Sequence, residues 1–174
     1  MPDTLVVDAS AALAILRAEP SGEECARVIA SVLPDGTILV PDSFWLEVTN
    51  VLVRRYRWTP DAVVSALHGL DELGIGTVPI DRPLVLLGLD LMTAHQLSGS
   101  DAAYLALAEI EDAALLTLDG DLAAAAGDRA IVPGGRRSRG SRAPYGLAAR
   151  RPRWSEHGRY LAELRRRAAD PGAA

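Results

Sequence analysis

The chain has 174 residues, of which 49% are hydrophobic and 24% charged, values typical of one globular domain. No apolar run reaches the ~18 residues that a membrane-spanning helix needs, and the N-terminus lacks the basic and apolar segments of a secretion signal. The single cysteine, Cys25, excludes an intramolecular disulfide and a Cys-x-x-Cys metal site, so we expect a cytoplasmic protein without membrane contact.

Five apolar runs separated by segments of helical periodicity predict the secondary structure. The predicted strands are Leu5–Val7, Thr37–Val40, Thr77–Ile80, Ala114–Thr117 and Ala130–Val132. The helical periodicity covers residues 10–18, 22–33, 42–57, 60–73, 81–95, 100–111 and 121–126. Strands that alternate with helices predict an open α/β fold with a mainly parallel sheet.

Charge is unevenly distributed along the chain. Residues 1–133 hold 7 arginines and 20 acidic residues, a formal net charge of −13, whereas residues 134–174 hold 11 arginines and 3 acidic residues, a net charge of +8. An acidic body is suited to binding cations, and a basic tail is suited to binding polyanions.

Four carboxylates occupy positions where such a sheet binds ligands. Asp8 ends the first predicted strand and Asp119 follows the fourth, while Glu47 and Asp101 lie in the first two turns of predicted helices. Ligands of open parallel sheets bind at the carboxyl ends of the strands. Each residue also has a purely structural interpretation, because Asp8 and Asp119 can cap helices, Asp101 can form a capping box with Ser98, and Glu47 can be a solvated surface residue.

Considered together, the four carboxylates indicate a cation. Neighbouring carboxylates raise one another's pKa values unless a positive charge neutralises them. Mg²⁺ and Mn²⁺ prefer oxygen ligands and bridge to phosphate groups. One or two such ions activate water and stabilise in-line displacement at phosphorus.

Four segments then carry a specific resemblance. In order, VVDASAALAIL, DSFWLEVTNVL, LSGSDAAYLALAE and LLTLDGDL resemble the four acidic motifs of the PIN-domain ribonucleases, above all the VapC-type toxins of bacterial toxin–antitoxin pairs. The resemblance spans residues 4–133 and implies a central five-stranded sheet with helices on both faces. It makes Asp8, Glu47, Asp101 and Asp119 the catalytic and metal-binding quartet, with Asp8 and Asp101 the most direct ligands of Mg²⁺ or Mn²⁺.

The resemblance also assigns supporting residues. Ser10 matches the small hydroxyl residue after the first acid, Asn50 the polar residue one turn after Glu47, and Thr117 the hydroxyl of a T-x-D-x-x-L pattern. Asp121 is an additional acid that can reach a second ion, although capping of its own short helix is the stronger interpretation. Arg54 completes a polar stripe with Glu47 and Asn50 at i, i+3 and i+7, and is a candidate RNA contact.

The function implied is a metal-dependent endoribonuclease, active as a toxin, with RNA as substrate, a basic antitoxin as partner and a homodimer as the expected assembly. Two alternatives stay open: a PIN nuclease that processes RNA without an antitoxin, and a non-catalytic module that binds RNA or a regulator. Other catalytic signatures, such as G-x-S-x-G, a Walker A loop and H-E-x-x-H, do not occur. His68, His95 and His157 have no ligand-spaced partner and are interpreted as surface or structural residues.

The composition changes abruptly after the last predicted strand. Residues 133–146, PGGRRSRGSRAPYG, predict a flexible linker, and residues 154–168 have helical periodicity. We therefore separate a PIN-like nuclease domain, residues 1–133, from an Arg-rich extension, residues 134–174. Three interpretations of the extension stay open. It is a basic arm that contacts RNA phosphates through residues such as Arg136 and Arg137, a helix that packs on a partner, or a disordered or accidental extension.

Overall fold

The computed structural model describes residues 3–134, which contain a single five-stranded sheet. All pairings are parallel, and the strand order is β3-β2-β1-β4-β5. The strands are β1 (Thr4–Val7), β2 (Thr37–Pro41), β3 (Gly76–Val78), β4 (Ala114–Leu116) and β5 (Ala130–Ile131). The α/β fold class and all five predicted strands are confirmed.

Seven helices connect the strands, and each coincides with a predicted helical segment. They are α1 (Ala9–Leu16), α2 (Pro20–Val32), α3 (Ser43–Arg54), α4 (Pro60–Asp71), α5 (Arg82–His95), α6 (Gly99–Ile110) and α7 (Gly120–Ala126). Thr59 caps α4 as its sequence position predicts, with its hydroxyl accepting the backbone N–H of Ala62 at 3.4 Å.

The strand order defines where a ligand can enter. From β1 the chain proceeds outward to β2 and β3 in one direction, then returns to β4 and β5 on the other side of β1. Right-handed crossovers therefore place α1–α4 on one face of the sheet and α5–α7 on the other. The order reverses between β1 and β4, and this switch point is where open α/β sheets form a binding crevice.

The core lies between the sheet and the helix layers. Helix α6 is almost wholly apolar after its first turn, and every residue from Ala102 to Ala108 is buried. A close contact joins α1 to α2, because a Cβ added at Gly22 would lie 2.3 Å from the carbonyl oxygen of Ala14. The site residues that follow β1 and β4 are therefore attached to a rigid, fully packed sheet.

Several predicted boundaries differ from the structure by one to three residues, and two of the differences have a clear physical reason. Helix α3 ends at Arg54 and not at residue 57, because Arg57 adopts a left-handed backbone with φ of 58° that cannot continue a helix. Strand β3 ends at Val78 and not at Ile80, since Pro79 has no backbone N–H to donate to a neighbouring strand.

The proposed linker at 133–146, the helical segment at 154–168, and Arg136 and Arg137 fall almost entirely outside the described residues. Assignments to them stay predictions. Within residues 3–134, no helix has the length and apolar character needed to cross a membrane.

Candidate active site

Asp8 lies at the switch point, directly after β1. Its side chain is only 3% exposed. Asp8 is the N-cap residue of α1, but its carboxylate lacks the geometry of a side-chain cap, and the backbone N–H of Ser10 adds only a smaller attraction. Capping alone therefore does not account for the burial of Asp8.

Two hydroxyl groups bind the Asp8 carboxylate at the same oxygen. Thr117 Oγ1 donates to Asp8 Oδ2 at 2.7 Å, and the Ser10 hydroxyl donates to that same oxygen. Backbone N–H groups hold both hydroxyls in turn, since Leu118 N donates to Ser10 Oγ at 2.9 Å and Asp119 N donates to Thr117 Oγ1 at 2.9 Å. The segment after β4 therefore orients the carboxylate that follows β1.

Burial dominates the electrostatics of Asp8. Desolvation raises the pKa of its carboxyl above the ordinary value of 3.8, and repulsion from Asp101 raises it further. The hydroxyls of Ser10 and Thr117 lower the pKa but do not offset the burial. A buried carboxylate without a cationic neighbour is costly when ionised, so this position favours binding of a positive charge.

Glu47 approaches the same region from α3. Its carboxylate is half-buried, and Tyr104 donates its hydroxyl to Glu47 Oε2 at 3.0 Å. Desolvation raises the pKa of Glu47, with smaller contributions from the charges of Asp8 and Asp101. Interpretation of Glu47 as a solvated surface residue is wrong.

Tyr104 is a functional residue that the sequence analysis missed. Its side chain is fully buried in α6, and its pKa is raised by burial and by the negative charges of Glu47 and Asp8. A tyrosine within an otherwise aliphatic helix was the available signal, because a buried phenol needs a hydrogen-bond partner. Here the phenol hydroxyl finds its partner in Glu47 and fixes the orientation of that carboxylate.

Asp101 lies in the first turn of α6, as the sequence predicts. Ser98 caps the helix, its hydroxyl oxygen accepting Asp101 N at 3.2 Å, and the same hydroxyl lies 2.6 Å from Asp101 Oδ2. The reciprocal half of the capping box, from the Asp101 carboxylate to the backbone N–H of Ser98, is not formed. The charge of Asp101 acts on both Asp8 and Glu47.

Asp119 has the structural role that its sequence position allows. Its exposed Oδ1 accepts the N–H groups of Asp121 at 2.9 Å and Leu122 at 2.8 Å, and so caps α7. Asp121 does not cap this helix, contrary to our stronger interpretation. It lies in the first turn and lines a shallow groove with His95 and Gln96. The structure thus couples Asp8, Glu47 and Asp101 electrostatically, and the charge of Asp119 is not among the causes that raise the pKa values of Asp8 and Glu47.

Asn50 and Arg54 continue the face of α3 that carries Glu47. Both side chains are exposed. They extend the polar stripe of α3 away from the three coupled carboxylates. Elsewhere in the described residues, His68 and His95 are exposed, as predicted for surface histidines; His157 lies outside them.

The donor chemistry of the site fits a hard divalent cation. Asp8, Glu47 and Asp101 offer carboxylate oxygens, and burial raises the pKa values of Asp8 and Glu47, so a nearby positive charge would favour their ionised forms. Among residues 3–134, no group of three His, Cys, Asp or Glu side chains is arranged as a metal-binding set. Mg²⁺ does not require one, because it retains several waters and binds through one or two carboxylates.

Replacement of Thr117 by Val is expected to destabilise the protein by about 1–3 kcal/mol, because it leaves the partly buried N–H of Asp119 without its acceptor and removes a donor from the buried carboxylate of Asp8. Thr117 is 0% exposed, and Val has nearly its shape. Chemical denaturation measures the effect. Thr93→Val is the matched control, since the Thr93 hydroxyl bonds Leu89 O at 2.9 Å on an exposed helix face. Equal effects of the two substitutions would contradict a special role for Thr117.

Comparison with known proteins agrees with this geometry. Residues 5–128 match the family model of the PIN domain. Curated protein sequences give no match. Among solved structures, the chain is similar to VapC20 of Mycobacterium tuberculosis, described as a Sarcin-Ricin loop cleaving toxin, with a TM-score of 0.59 and 21% identity over 70% of this chain and 94% of that one.

Two further structures show the same likeness. A toxin–antitoxin complex from Klebsiella pneumoniae has a TM-score of 0.55 and 18% identity, over 74% of this chain and 97% of that one. VapBC2 from Rickettsia felis, bound to a DNA fragment from its promoter, has a TM-score of 0.59 and 11% identity, over 74% of this chain and 96% of that one. At these identities the likeness concerns the fold.

Proposed function

This chain belongs to the PIN-domain family, and from that premise we propose that it is a metal-dependent endoribonuclease that acts as the toxin of a toxin–antitoxin pair. The observation that supports this most strongly is the buried Asp8 carboxylate at the switch point, held by two hydroxyls and coupled to Glu47 and Asp101. A purely structural carboxylate has no reason to be buried beside two others.

The residues of the candidate site have distinct parts in the proposed reaction. Asp8 and Asp101 are the direct ligands of Mg²⁺ or Mn²⁺, Glu47 and Asp119 complete the acidic set, and Ser10 and Thr117 orient Asp8. Tyr104 orients Glu47 through its hydroxyl. Asn50 positions ligands or substrate, and Asp121 is the candidate for a second ion. The ion supplies a water nucleophile and charge stabilisation at the phosphorus.

An antitoxin partner is supported by charge and by the structural relatives. Residues 1–133 carry a formal net charge of −13, which favours a basic protein segment, and an arginine of that segment would neutralise the carboxylates. Two of the solved relatives are toxin–antitoxin assemblies. We place the protein in the cytoplasm, where its RNA substrate and its antitoxin are synthesised.

A homodimer is supported by one face of α5. Four large apolar residues of this helix have exposed fractions between 36% and 54%. They are Val85, Leu86, Leu89 and Met92. A contiguous apolar surface of this kind is typical of a protein contact.

Incubation of the full chain with total RNA tests the proposal. We expect cleavage with Mg²⁺ or Mn²⁺ and none with EDTA, because the carboxylates alone provide no activated nucleophile. Identical RNA patterns with metal and with EDTA would contradict the nuclease proposal. A small basic reading frame directly upstream of the gene distinguishes a toxin from a nuclease that processes RNA without an antitoxin.

A further inference from the structure

The C-terminal end of α3 holds the densest group of positive charges in residues 3–134. Of the 7 arginines in this part of the chain, three follow one another closely: Arg54, Arg55 and Arg57. We call these three residues the α3 basic cluster. All three side chains are exposed.

Within residues 3–134, no ion pair neutralises the α3 basic cluster. Within residues 3–134 the ion pairs engage three other arginines, namely Arg17, Arg27 and Arg129. No carboxylate of the described residues pairs with the cluster, although acidic residues outnumber arginines by 20 to 7 in residues 1–133. Unpaired cations grouped on an acidic surface mark a site for an anionic partner.

Alternating aromatic residues hold the cluster in place. Tyr56 and Trp58 are half-buried and pack against the core, and their backbone N–H groups donate to Val51 O at 3.2 Å and Leu52 O at 3.1 Å. The guanidinium of Arg17 lies 3.7 Å from the centre of the Tyr56 ring. Because the backbone is fixed, binding at the cluster costs little backbone conformational entropy.

Helix geometry relates the cluster to the candidate active site. Arg54 follows Glu47 by seven residues, so the two side chains share one face of α3 and are separated by about 10 Å along its axis. Asn50 lies between them on the same side. One helix therefore carries a carboxylate of the site at its beginning and unpaired cations at its end.

We propose that the α3 basic cluster binds the phosphate backbone of the RNA substrate at nucleotides beyond the cleaved bond, so that the strand lies along α3. The inference rests on the proposed function, since it takes RNA as the substrate. Arginine–phosphate contacts orient a strand without reading its bases. The cluster accordingly sets affinity and direction, and sequence preference comes from elsewhere.

The test compares two doubly substituted full-length chains. Arg54→Gln with Arg57→Gln removes two charges from the cluster, whereas Arg27→Gln with Arg82→Gln removes two exposed charges elsewhere. Both variants have the same net charge and the same Arg-rich extension. Binding of a labelled single-stranded RNA is measured over a series of salt concentrations. EDTA is present throughout, because it prevents metal-dependent cleavage.

We expect the cluster variant to bind about 25-fold more weakly at 0.1 M salt, with a salt slope shallower by about 1.4, because each phosphate contact to a single strand contributes about 0.7. The control variant should bind like the wild type. In cleavage assays the cluster variant should have a raised KM and an unchanged kcat. Equal affinities and slopes of the two variants would overturn the inference, including the case in which the cluster binds an acidic peptide.

The outcomes separate this inference from the proposed function. If the wild type binds RNA through the cluster but cleaves nothing with metal, the nuclease proposal fails and the phosphate-binding surface remains. If both double variants cleave and bind alike, the nuclease proposal remains and the cluster has no role in RNA binding.

Discussion

Asp8→Asn is expected to lower the rate of metal-dependent RNA cleavage by at least about a hundredfold while the protein stays folded. Residues that only support a metal ligand already cost about 10- to 100-fold when replaced, and Asp8 is proposed as a ligand itself. Asn retains an oxygen that can accept the hydroxyls of Ser10 and Thr117 but carries no negative charge.

Asp90→Asn is the matched control for this substitution, because it makes the same chemical change at an exposed position of α5. Cleavage of a labelled RNA by the wild type and both variants provides the comparison, with circular dichroism to verify the fold. A fully active Asp8→Asn variant would refute the metal-ligand role. A large loss of stability without metal would show that Asp8 is structural.

The dependence of stability on pH supplies a second readout of Asp8. Its pKa in the folded protein is raised above 3.8, so the unfolded chain loses this proton first as the pH rises. The free energy of unfolding without metal should therefore fall as the pH rises from about 4 through the folded-state pKa, and stay lower above it. Glu47 adds a decline of the same sign above its own ordinary value of 4.5. Asp8→Asn should show a smaller decline and equal or greater stability at neutral pH.

Millimolar Mg²⁺ or Mn²⁺ is expected to raise the melting temperature of the wild type by several degrees. An ion bound only by the folded state at ten times its dissociation constant stabilises by about 1.4 kcal/mol. For a domain of this size, each kcal/mol corresponds to about 3–5 °C. The gain arises because the ion neutralises carboxylates whose charges otherwise repel.

The same measurement on site variants locates the ion. The gain should disappear in Asp8→Asn combined with Glu47→Gln and persist in the Asp90→Asn control. Glu47→Ala combined with Asp119→Ala should also reduce it, and Asp119→Ala alone reveals whether the α7 cap takes part in binding. An equal rise in the wild type and in Asp8→Asn with Glu47→Gln would mean that the ion binds outside the candidate site.

Local patterns account for the parts of the fold that the sequence predicted. The run from Leu5 to Val7 is apolar throughout because both faces of β1 are covered, and Thr59 before Pro60 marks the start of α4. Such signals act over a few residues. The predicted helix ends were less accurate. After α3, for example, Arg57 adopts a left-handed conformation, and no glycine at that position signals it in the sequence.

The candidate site was predictable in its members and less so in their roles. Asp8, Glu47 and Asp101 follow from the order of the acidic motifs together with the rule that parallel strands present ligands at their carboxyl ends. Capping was a reasonable interpretation for both Asp8 and Asp119, since both follow strands and precede helices. The structure separates them, because Asp119 accepts two N–H groups of the following helix, whereas the Asp8 carboxylate is held mainly by the hydroxyls of Ser10 and Thr117.

The sequence by itself therefore determined the α/β class and the order of its elements, since these depend on periodicity and on neighbours along the chain. The four candidate carboxylates came from the resemblance of the acidic motifs. Only the tertiary structure decided which groups hold those carboxylates. Tyr104 meets Glu47 across 57 residues, and Thr117 meets Asp8 across 109. Contacts between residues so distant in sequence form only when the sheet and its helix layers pack, and no local pattern specifies them.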